Sequence, residues 1–279
     1  MGELHKAAQF LSAAAESDSR VSKVNRGHAL IWKGLALWNL GFPDQALALA
    51  REGLMLGEHA DNQYTYAAVL QNAGSLHWSC GELARAEDLF HAVLNLGTER
   101  RFPLIRALNT LFLGLVSALR KQTQASLEQL RRAIEFYVAS PAAARQDRVY
   151  AGPMAVGYLL TGRPDEALAT LTSALEWADQ KGAEFLVASL HQHKGHLLRG
   201  KSNSEEAENC FRASIEIARR HSAKSLELAR RPASLGRSAN KAVVTRARAM
   251  LAEDYNWFTK GFDTTDLKDA EALLAELKS

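Results

Sequence analysis

Small residues recur along this chain at a nearly fixed step, and that periodicity constrains the fold more than any other feature. The anchors of the pattern lie 40 or 41 residues apart and are Gly34, Gly74, Gly114, Ala155 and Gly195. After Gly74, for example, small or apolar residues follow at set offsets, at Gly81, Ala86 and Phe90. A repeat of this length is one supersecondary unit that cannot bury its apolar face alone, so neighbouring units must stack on one another.

The offsets predict a helix, a tight turn and a second helix in each unit. Gly41 and Gly81, seven residues after their anchors, are placed to end the first helix, because glycine adopts a left-handed C-cap without strain. Pro43 fits the first turn of the second helix, where a missing N–H costs nothing. The residues twelve and sixteen after each anchor are i, i+4 neighbours on that second helix and should face the first. The third and fifth units carry Lys121 and Ser202 at the glycine position and are degenerate.

The composition agrees with an all-α protein that has a packed core. Hydrophobic residues make up 47% and charged residues 23%, which excludes wholesale disorder, and strong helix formers dominate. No apolar run reaches the roughly 18 residues that a membrane span needs. The first ten residues are too polar for a signal peptide, and two cysteines suit a reducing compartment. A cytoplasmic protein without a membrane partner is therefore expected.

The pattern of small residue, turn glycine, alanine and large apolar residue resembles the tetratricopeptide repeat (TPR). The better matches are Gly74, Gly81, Ala86 and Phe90 in one unit, and Tyr158, Gly162, Ala167, Leu171 and Ala174 in another. The resemblance implies a right-handed α-solenoid of about six helical hairpins. The usual TPR period is about 34, so the longer step predicts helices extended by about one turn. The predicted helices are 22–40, 43–58, 62–80, 83–97, 102–120, 124–138, 146–161, 164–180, 183–199, 203–221 and 265–278.

Three regions follow from this register. Residues 1–21 are interpreted as a truncated helix and a link, residues 22–221 as five TPR-like units, and residues 222–279 as a degenerate sixth unit with a C-terminal helix. Pro232 and Gly236 would break the first helix of the sixth unit, although the length of that unit is kept. One hypothesis is that two compensating frameshifts scrambled this segment in the gene.

Four segments resemble a more specific group of proteins. They are residues 41–48, 190–198, 207–214 and 257–270, of which the last is the most specific. They are similar to the C-terminal TPR region of large bacterial signalling proteins that carry a class III adenylate/guanylate cyclase domain and a signal-transducing ATPase. The resemblance implies a sensory or protein-binding module. The chemistry of those proteins lies upstream, so no catalytic residue can be carried over.

The first helix of each unit should line the concave groove of such an array and bind a protein or peptide there. The register places eleven side chains toward it: His28, Ile31, Trp38, Asn39, Gln71, Trp78, Leu111, Leu115, Gln192, His196 and Arg199. The preferred binding candidates are Trp38, Asn39, Gln71, Trp78, Gln192 and Arg199. Tryptophan concentrates binding energy, which favours Trp38 and Trp78 as anchors. The alternative is that both pack between long helices.

Residues 195–202 match the phosphate-binding pattern G-x-x-x-x-G-K-[ST] literally. In that motif Gly195, Gly200, Lys201 and Ser202 would surround the phosphates of a nucleotide. The loop must follow a buried strand, whereas residues 184–194 have a helical pattern. We therefore interpret the match as a helix end and a turn, and nucleotide binding is the less favoured alternative.

Other candidate sites are weaker. His191, His193 and His196 splay over more than one helix face and lack a carboxylate, so neither a metal site nor another cofactor is predicted. Cys80 and Cys210 are expected to be buried as small apolar residues.

The stretch 219–248 contains nine Lys or Arg residues and one acid, which could attract nucleic acid electrostatically. It lacks aromatic residues for base stacking, and the net charge of the chain is only +3, so a nucleic-acid partner is not favoured. The sequence favours a non-enzymatic scaffold. The alternatives are a severed or decayed regulatory fragment of an adenylate/guanylate cyclase and, least favoured, a nucleotide-binding protein.

Overall fold

A computed structural model describes residues 23–58, 62–141, 143, 148–181, 183–201, 203–228 and 241–276, together with residues 6, 8, 9, 11 and 12. Every regular element within these ranges is an α-helix. The helices are α1 Lys23–Leu40, α2 Pro43–Gly57, α3 Gln63–Ser79, α4 Leu83–Glu99, α5 Pro103–Lys121, α6 Gln124–Val138, α7 Ala151–Leu160, α8 Pro164–Lys181, α9 Glu184–Gly200, α10 Ser204–Arg220, α11 Lys224–Leu228, α12 Lys241–Trp257 and α13 Thr265–Glu276. The predicted all-α solenoid is confirmed.

Helices α11 and α12 were not among the predicted helices. The bounds of the predicted helices agree with the structure within about two residues, and α7 is the main exception. Its first residue is Ala151, whereas the pattern predicted a start at residue 146. Pro153 accounts for the difference. In a helix that began at residue 146, this proline would lie in the interior and clash with the preceding turn, but in α7 it lies in the first turn, where no N–H is needed. Pro232 and Gly236, the predicted breaks in the sixth unit, lie outside the described residues.

The turn glycines end the first helices as predicted. Gly41 and Gly81 have φ angles of 94° and 80°, in the left-handed region that favours glycine. The third unit has no glycine there, and Gln122 adopts the left-handed conformation instead, with φ of 49°. Helix α5 consequently includes Lys121. Ser202, the predicted equivalent in the fifth unit, lies outside the described residues.

The anchor glycines allow close contact between the two helices of a hairpin. A Cβ atom on Gly74 would lie 2.8 Å from the ring of Phe90, and one on Gly195 would lie 2.7 Å from the ring of Phe211. Both rings are almost completely buried. The residue sixteen after the anchor therefore packs directly on the anchor, which is the physical basis of the repeat.

The apolar faces of the hairpins form several buried clusters along the array. Cys80 and Cys210 are buried in them, as predicted, and neither forms a disulfide. Helix α5 is long and apolar enough to cross a membrane by length and composition, the one helix among the described residues of which this holds. About two thirds of its apolar window is buried inside the protein, as in the core helix of a soluble protein.

Neighbouring hairpins contact one another through the second helix of one and the first helix of the next, and their first helices also contact one another. Helix α1 contacts α3, α3 contacts α5, α5 contacts α7, and α7 contacts α9. We call α1, α3, α5, α7 and α9 the inner row.

The short helix α11 links the end of this array to its beginning, because it packs on α10 and also on α1. The Ser225 hydroxyl in α11 donates a 2.6 Å hydrogen bond to the Trp38 carbonyl at the end of α1, across 187 positions of sequence. The hairpins therefore form a closed ring of contacts. We call the junction of α11 and residues 257–261 with residues 38–43 the seam.

Candidate functional site

The predicted groove residues of the first hairpin lie close to the seam. Trp38 is partly buried against the core of the first two hairpins, and its carbonyl accepts the hydrogen bond from Ser225. The indole Nε1 of Trp38 is buried and has no hydrogen-bond partner among the described residues. The Asn39 side-chain amide donates to the Leu35 carbonyl at 2.9 Å, one turn earlier in α1. Trp38 thus packs against the core and also has a buried indole N–H that could donate to an acceptor.

A polar cluster occupies the inner row where α3, α5 and α7 meet. The Asn109 Nδ2 atom donates to Gln71 Oε1 at 3.1 Å, and Gln71 Nε2 donates to the Tyr150 hydroxyl at 3.3 Å. Asn109 is fully buried, and its Oδ1 has no donor among the described residues. Burial raises the pKa of the Tyr150 hydroxyl, although the hydrogen bond from Gln71 opposes this, so the phenol is neutral. Gln71 is therefore covered by the chain's own Tyr150 rather than lining an open groove.

Trp78 is half-buried and packs on the chain's own aromatic residues. Its ring meets the Phe112 ring edge-on at 5.7 Å, and Tyr150 meets the same Phe112 ring at 5.5 Å. The contact with Phe112 is of the kind expected for packing between helices, and a binding role for Trp78 stays a prediction. Sequence reasoning missed Asn109 and Tyr150, although an asparagine isolated in the apolar run of α5 was a detectable signal.

Three residues assigned to the groove by register belong to the core instead. Ile31, Leu111 and Leu115 have no exposed surface. The register placed these residues on the correct helices. Leu111 and Leu115 are nevertheless buried, because neighbouring hairpins cover α5 on several sides. These side chains cannot contact a partner.

The fifth unit presents exposed groups on the inner row. His196 and Arg199 are exposed on α9, and both lie against the ring of Phe211. The Arg199 guanidinium carbon lies 5.7 Å from the centre of that ring. Gln192, one turn before His196, is half-buried. This surface combines a cation with polar groups, a combination that suits a polar peptide or an acidic side chain.

A second polar cluster joins α1 and α3. The Trp32 indole Nε1 donates to His28 Nε2 at 3.1 Å, and the Asn72 Nδ2 amide lies 3.1 Å from the same nitrogen. Two donors on one nitrogen require that it is unprotonated, so the proton of the neutral ring is on Nδ1. Burial lowers the pKa of His28, which favours the same neutral form.

Residues 195–200 do not form a phosphate-binding loop. They lie within α9, where backbone N–H groups are used in helical hydrogen bonds, and the residues before them are helical rather than a strand. The Lys201 amine forms an ion pair with Asp165, and its backbone N–H donates to the Leu197 and Leu198 carbonyls. Gly200 and Lys201 therefore have the geometry of a helix end and Gly195 lies inside α9, which agrees with the helical interpretation favoured from the sequence. Within the described ranges, no group of three or more His, Cys, Asp or Glu side chains is arranged to hold a metal ion.

A family comparison identifies the hairpin α9–α10. The Tetratricopeptide repeat family model matches residues 188–221. The chain contains a TPR. No curated protein sequence matches it. The inner-row residues Gln192, His196 and Arg199 lie within the matched repeat.

Solved structures also resemble this chain, at low sequence identity. The apo form of RapI has 12% identity and a TM-score of 0.52, over 99% of this chain and 92% of that chain. BtubC from P. vanneervenii has 13% identity and a TM-score of 0.41, over 100% and 91% of the two chains. A Signal Transduction ATPase with Numerous Domains that has a TPR sensor, from Pyrococcus horikoshii, has 13% identity and a TM-score of 0.48, over 98% of this chain and 46% of that chain. The similarity to RapI supports the solenoid fold.

Proposed function

We propose that this chain is a non-enzymatic scaffold that binds a protein or peptide along its inner row. The observation that carries the proposal is the exposed surface of His196 and Arg199 within the matched TPR. These groups lie on a preformed array of helices, so binding requires little ordering of the scaffold. Arg199 would pair with a carboxylate or a backbone carbonyl of the partner, while the aromatic face of Phe211 limits the positions available to its guanidinium.

The resemblance of residues 257–270 supports a narrower proposal, that the chain corresponds to the sensory TPR region of a cyclase–ATPase signalling protein. In this role the scaffold has no chemistry of its own and acts by presenting a partner to a catalytic chain. The buried free cysteines agree with a cytoplasmic location. A coding frame for a cyclase or an ATPase next to the gene would support this assignment, and its absence from all related genomes would contradict it.

A binding experiment with matched arginine variants tests the scaffold. Partners captured by the full chain would be identified by mass spectrometry, purified, and titrated calorimetrically against wild type, Arg199→Ala and Arg212→Ala. Arg212 is 70% exposed on the second helix of the same hairpin and serves as the control. We expect Arg199→Ala to weaken binding by about tenfold or more, as loss of a charged interface contact typically does. Equal affinities for all three proteins would overturn the assignment of the inner row.

A further inference from the structure

We propose that the inner row binds an extended peptide segment in which an apolar side chain lies two residues from a carboxylate. The assignment of this ligand class deepens the proposed function and rests on it, since both concern the same surface. An apolar inner face on α7 lies beside a basic inner face on α9, and the peptide binds across both.

An apolar stripe follows one side of α7. Val149, Gly152, Val156 and Leu159 are spaced three or four residues apart, so they share one face of the helix and of the turn that precedes it. Val149 is 43% exposed and Leu159 is 39% exposed, and Ala151–Leu160 contains no charged residue. This stripe loses contact with water when an apolar side chain of a partner covers it, which favours binding.

Close contacts on either side of α7 place this stripe between α5 and α9. A Cβ atom on Gly152 would lie 3.3 Å from the His193 ring in α9, and one on Gly157 would lie 3.3 Å from the Leu115 side chain in α5. With successive residues about 100° apart around the helix axis, Val156 lies between these two contacts. Helices α5 and α9 therefore flank the stripe.

The inner face of α9 is basic where it lies beside this stripe. Leu159, two turns after Gly152 on the same face of α7, corresponds to Arg199 on α9, because the two positions are 40 residues apart in the repeat. Arg199 is exposed, whereas the one acid of α9 is Glu184 at the opposite end of that helix. A peptide that crosses α7 and α9 here therefore meets an apolar side chain and then a cation.

Carboxylates of the second helices near this surface are paired with other cations. Asp165 in α8 forms an ion pair with Lys201, and Glu206 in α10 lies 3.3 Å from the Lys194 Nζ atom. These ion pairs compensate negative charges that would otherwise repel an acidic ligand. The positive charge of Arg199 therefore favours a carboxylate of the partner.

The distance between the two helices sets the spacing within the ligand. Helices in contact have axes about 8–10 Å apart. In an extended peptide, side chains two residues apart lie on the same side, about 7 Å from one another, whereas adjacent side chains point to opposite sides. An apolar residue and an acid at positions i and i+2 therefore match Leu159 and Arg199, and an acid at i+1 does not.

Peptide display on the immobilised full chain tests the ligand class without a known partner. A library of random dodecapeptides would be selected on wild type, and an enriched peptide would be synthesised and titrated by fluorescence anisotropy. We expect enriched sequences to combine Leu, Ile, Val or Phe with Asp or Glu two positions away. Moving the acid of the synthetic peptide to the adjacent position should weaken its binding to wild type by about fivefold or more.

Matched variants locate the bound peptide. Arg199→Ala and Leu159→Ala should each weaken its binding by about fivefold or more. The controls Arg212→Ala and Met55→Ala alter exposed side chains on the second helices α10 and α2 and should leave the affinity unchanged. Selection on Arg199→Glu should replace the acids of the enriched sequences with Lys or Arg, because this variant reverses the charge that faces them.

The outcomes separate the ligand class from the binding surface itself. Peptides that need Arg199 but lack the apolar and acidic pair, or that bind Leu159→Ala as tightly as wild type, would overturn the ligand class and leave the proposed function intact. Enriched peptides that bind all variants equally, or a selection without enrichment, would contradict both.

Discussion

The side-chain amide of Gln71 donates a hydrogen bond to the hydroxyl of Tyr150, and the two residues are 79 positions apart in the sequence. Gln71 belongs to the second hairpin and Tyr150 immediately precedes the fourth, so this contact spans the third. Tyr150 thus covers Gln71, a residue that the repeat pattern assigned to a partner. The exposed part of the inner row that the binding candidates occupy therefore lies on α9, at His196 and Arg199.

Tyr150→Phe is expected to destabilise the protein by about 1–3 kcal/mol. The ring would still contact Phe112, but the buried Gln71 amide would lose its acceptor. Urea unfolding would measure the change against Tyr64→Phe, an exposed tyrosine whose ring contacts Phe102. The control should change the free energy of unfolding by less than about 0.5 kcal/mol. Equal stabilities for the two variants would show that the polar cluster contributes nothing.

Glu87 forms an ionic cluster with Arg120 and Lys121 that stabilises the α4–α5 contact. Its side chain is 8% exposed, and Lys121 donates to it at 3.0 Å. Burial opposes ionisation, but the hydrogen bonds from Lys121 and Arg120 outweigh it and lower the pKa of Glu87. The stability from this group is therefore present above the ordinary carboxyl pKa and is lost as the pH falls through the lowered value.

Glu87→Gln should accordingly cost about 1.5–3 kcal/mol at neutral pH, the range for a hydrogen bond to a charged group, and less in acid. The matched control is Glu128→Gln, which removes a half-exposed partner of Arg131 and Arg132 and should cost less than about 1 kcal/mol. Denaturant titrations at pH 7 and pH 3 would measure both. If Glu87→Gln lowered the free energy of unfolding equally at pH 7 and at pH 3, the ionic role of Glu87 would be contradicted.

His77 gives the protein a pH dependence in mildly acidic solution. It is buried at the end of α3, and its Nδ1 lies 2.5 Å from Glu82. Burial lowers the pKa of His77; the hydrogen bond and charge of Glu82 oppose this, while the charges of Arg85 and Arg51 lower it further. The folded state thus binds fewer protons than the unfolded state, and stability falls as the pH drops below about 6.5 toward the lowered pKa.

A His77→Gln variant should lose part of that slope between pH 6.5 and 5, measured as the free energy of unfolding. His28 has a pKa lowered by burial and contributes in the same direction, so the slope should shrink rather than vanish. The control is His91→Gln, whose side chain is exposed on α4. If His91→Gln reduced the pH dependence of the free energy of unfolding and His77→Gln did not, the assignment of this dependence to His77 would be refuted.

The two glycines of the phosphate-loop-like segment should respond very differently to alanine. A Cβ on Gly195 would meet the buried Phe211 ring, so Gly195→Ala should destabilise the protein by about 1–3 kcal/mol through overpacking. A Cβ on Gly200 would meet nothing within 4 Å, so Gly200→Ala should be neutral or stabilising by up to about 1 kcal/mol. Thermal unfolding of both variants would decide, and the reverse order would contradict the packing role of the anchor.

The relations within one hairpin could be predicted from the sequence because they depend on residues close together in the chain. Gly195 and Phe211 are sixteen positions apart, and their contact follows from helix geometry and a short turn. The start of α7 was missed because Pro153 was not considered against the longer helical pattern. The contact of Ser225 with Trp38 could not be predicted, since it depends on small rotations between successive hairpins that add up over the whole array.

The contact between Ser225 and Trp38 also limits how this architecture can evolve. Open repeat arrays lengthen or shorten by duplicating or deleting whole units, since each unit touches only its neighbours. In this chain, gain or loss of one forty-residue unit would carry α11 away from the end of α1 and leave Gly41 and Gly261 without their tight neighbours. The geometry thus fixes the number of units, and proteins of this architecture diverge by single substitutions and by changes in loop length.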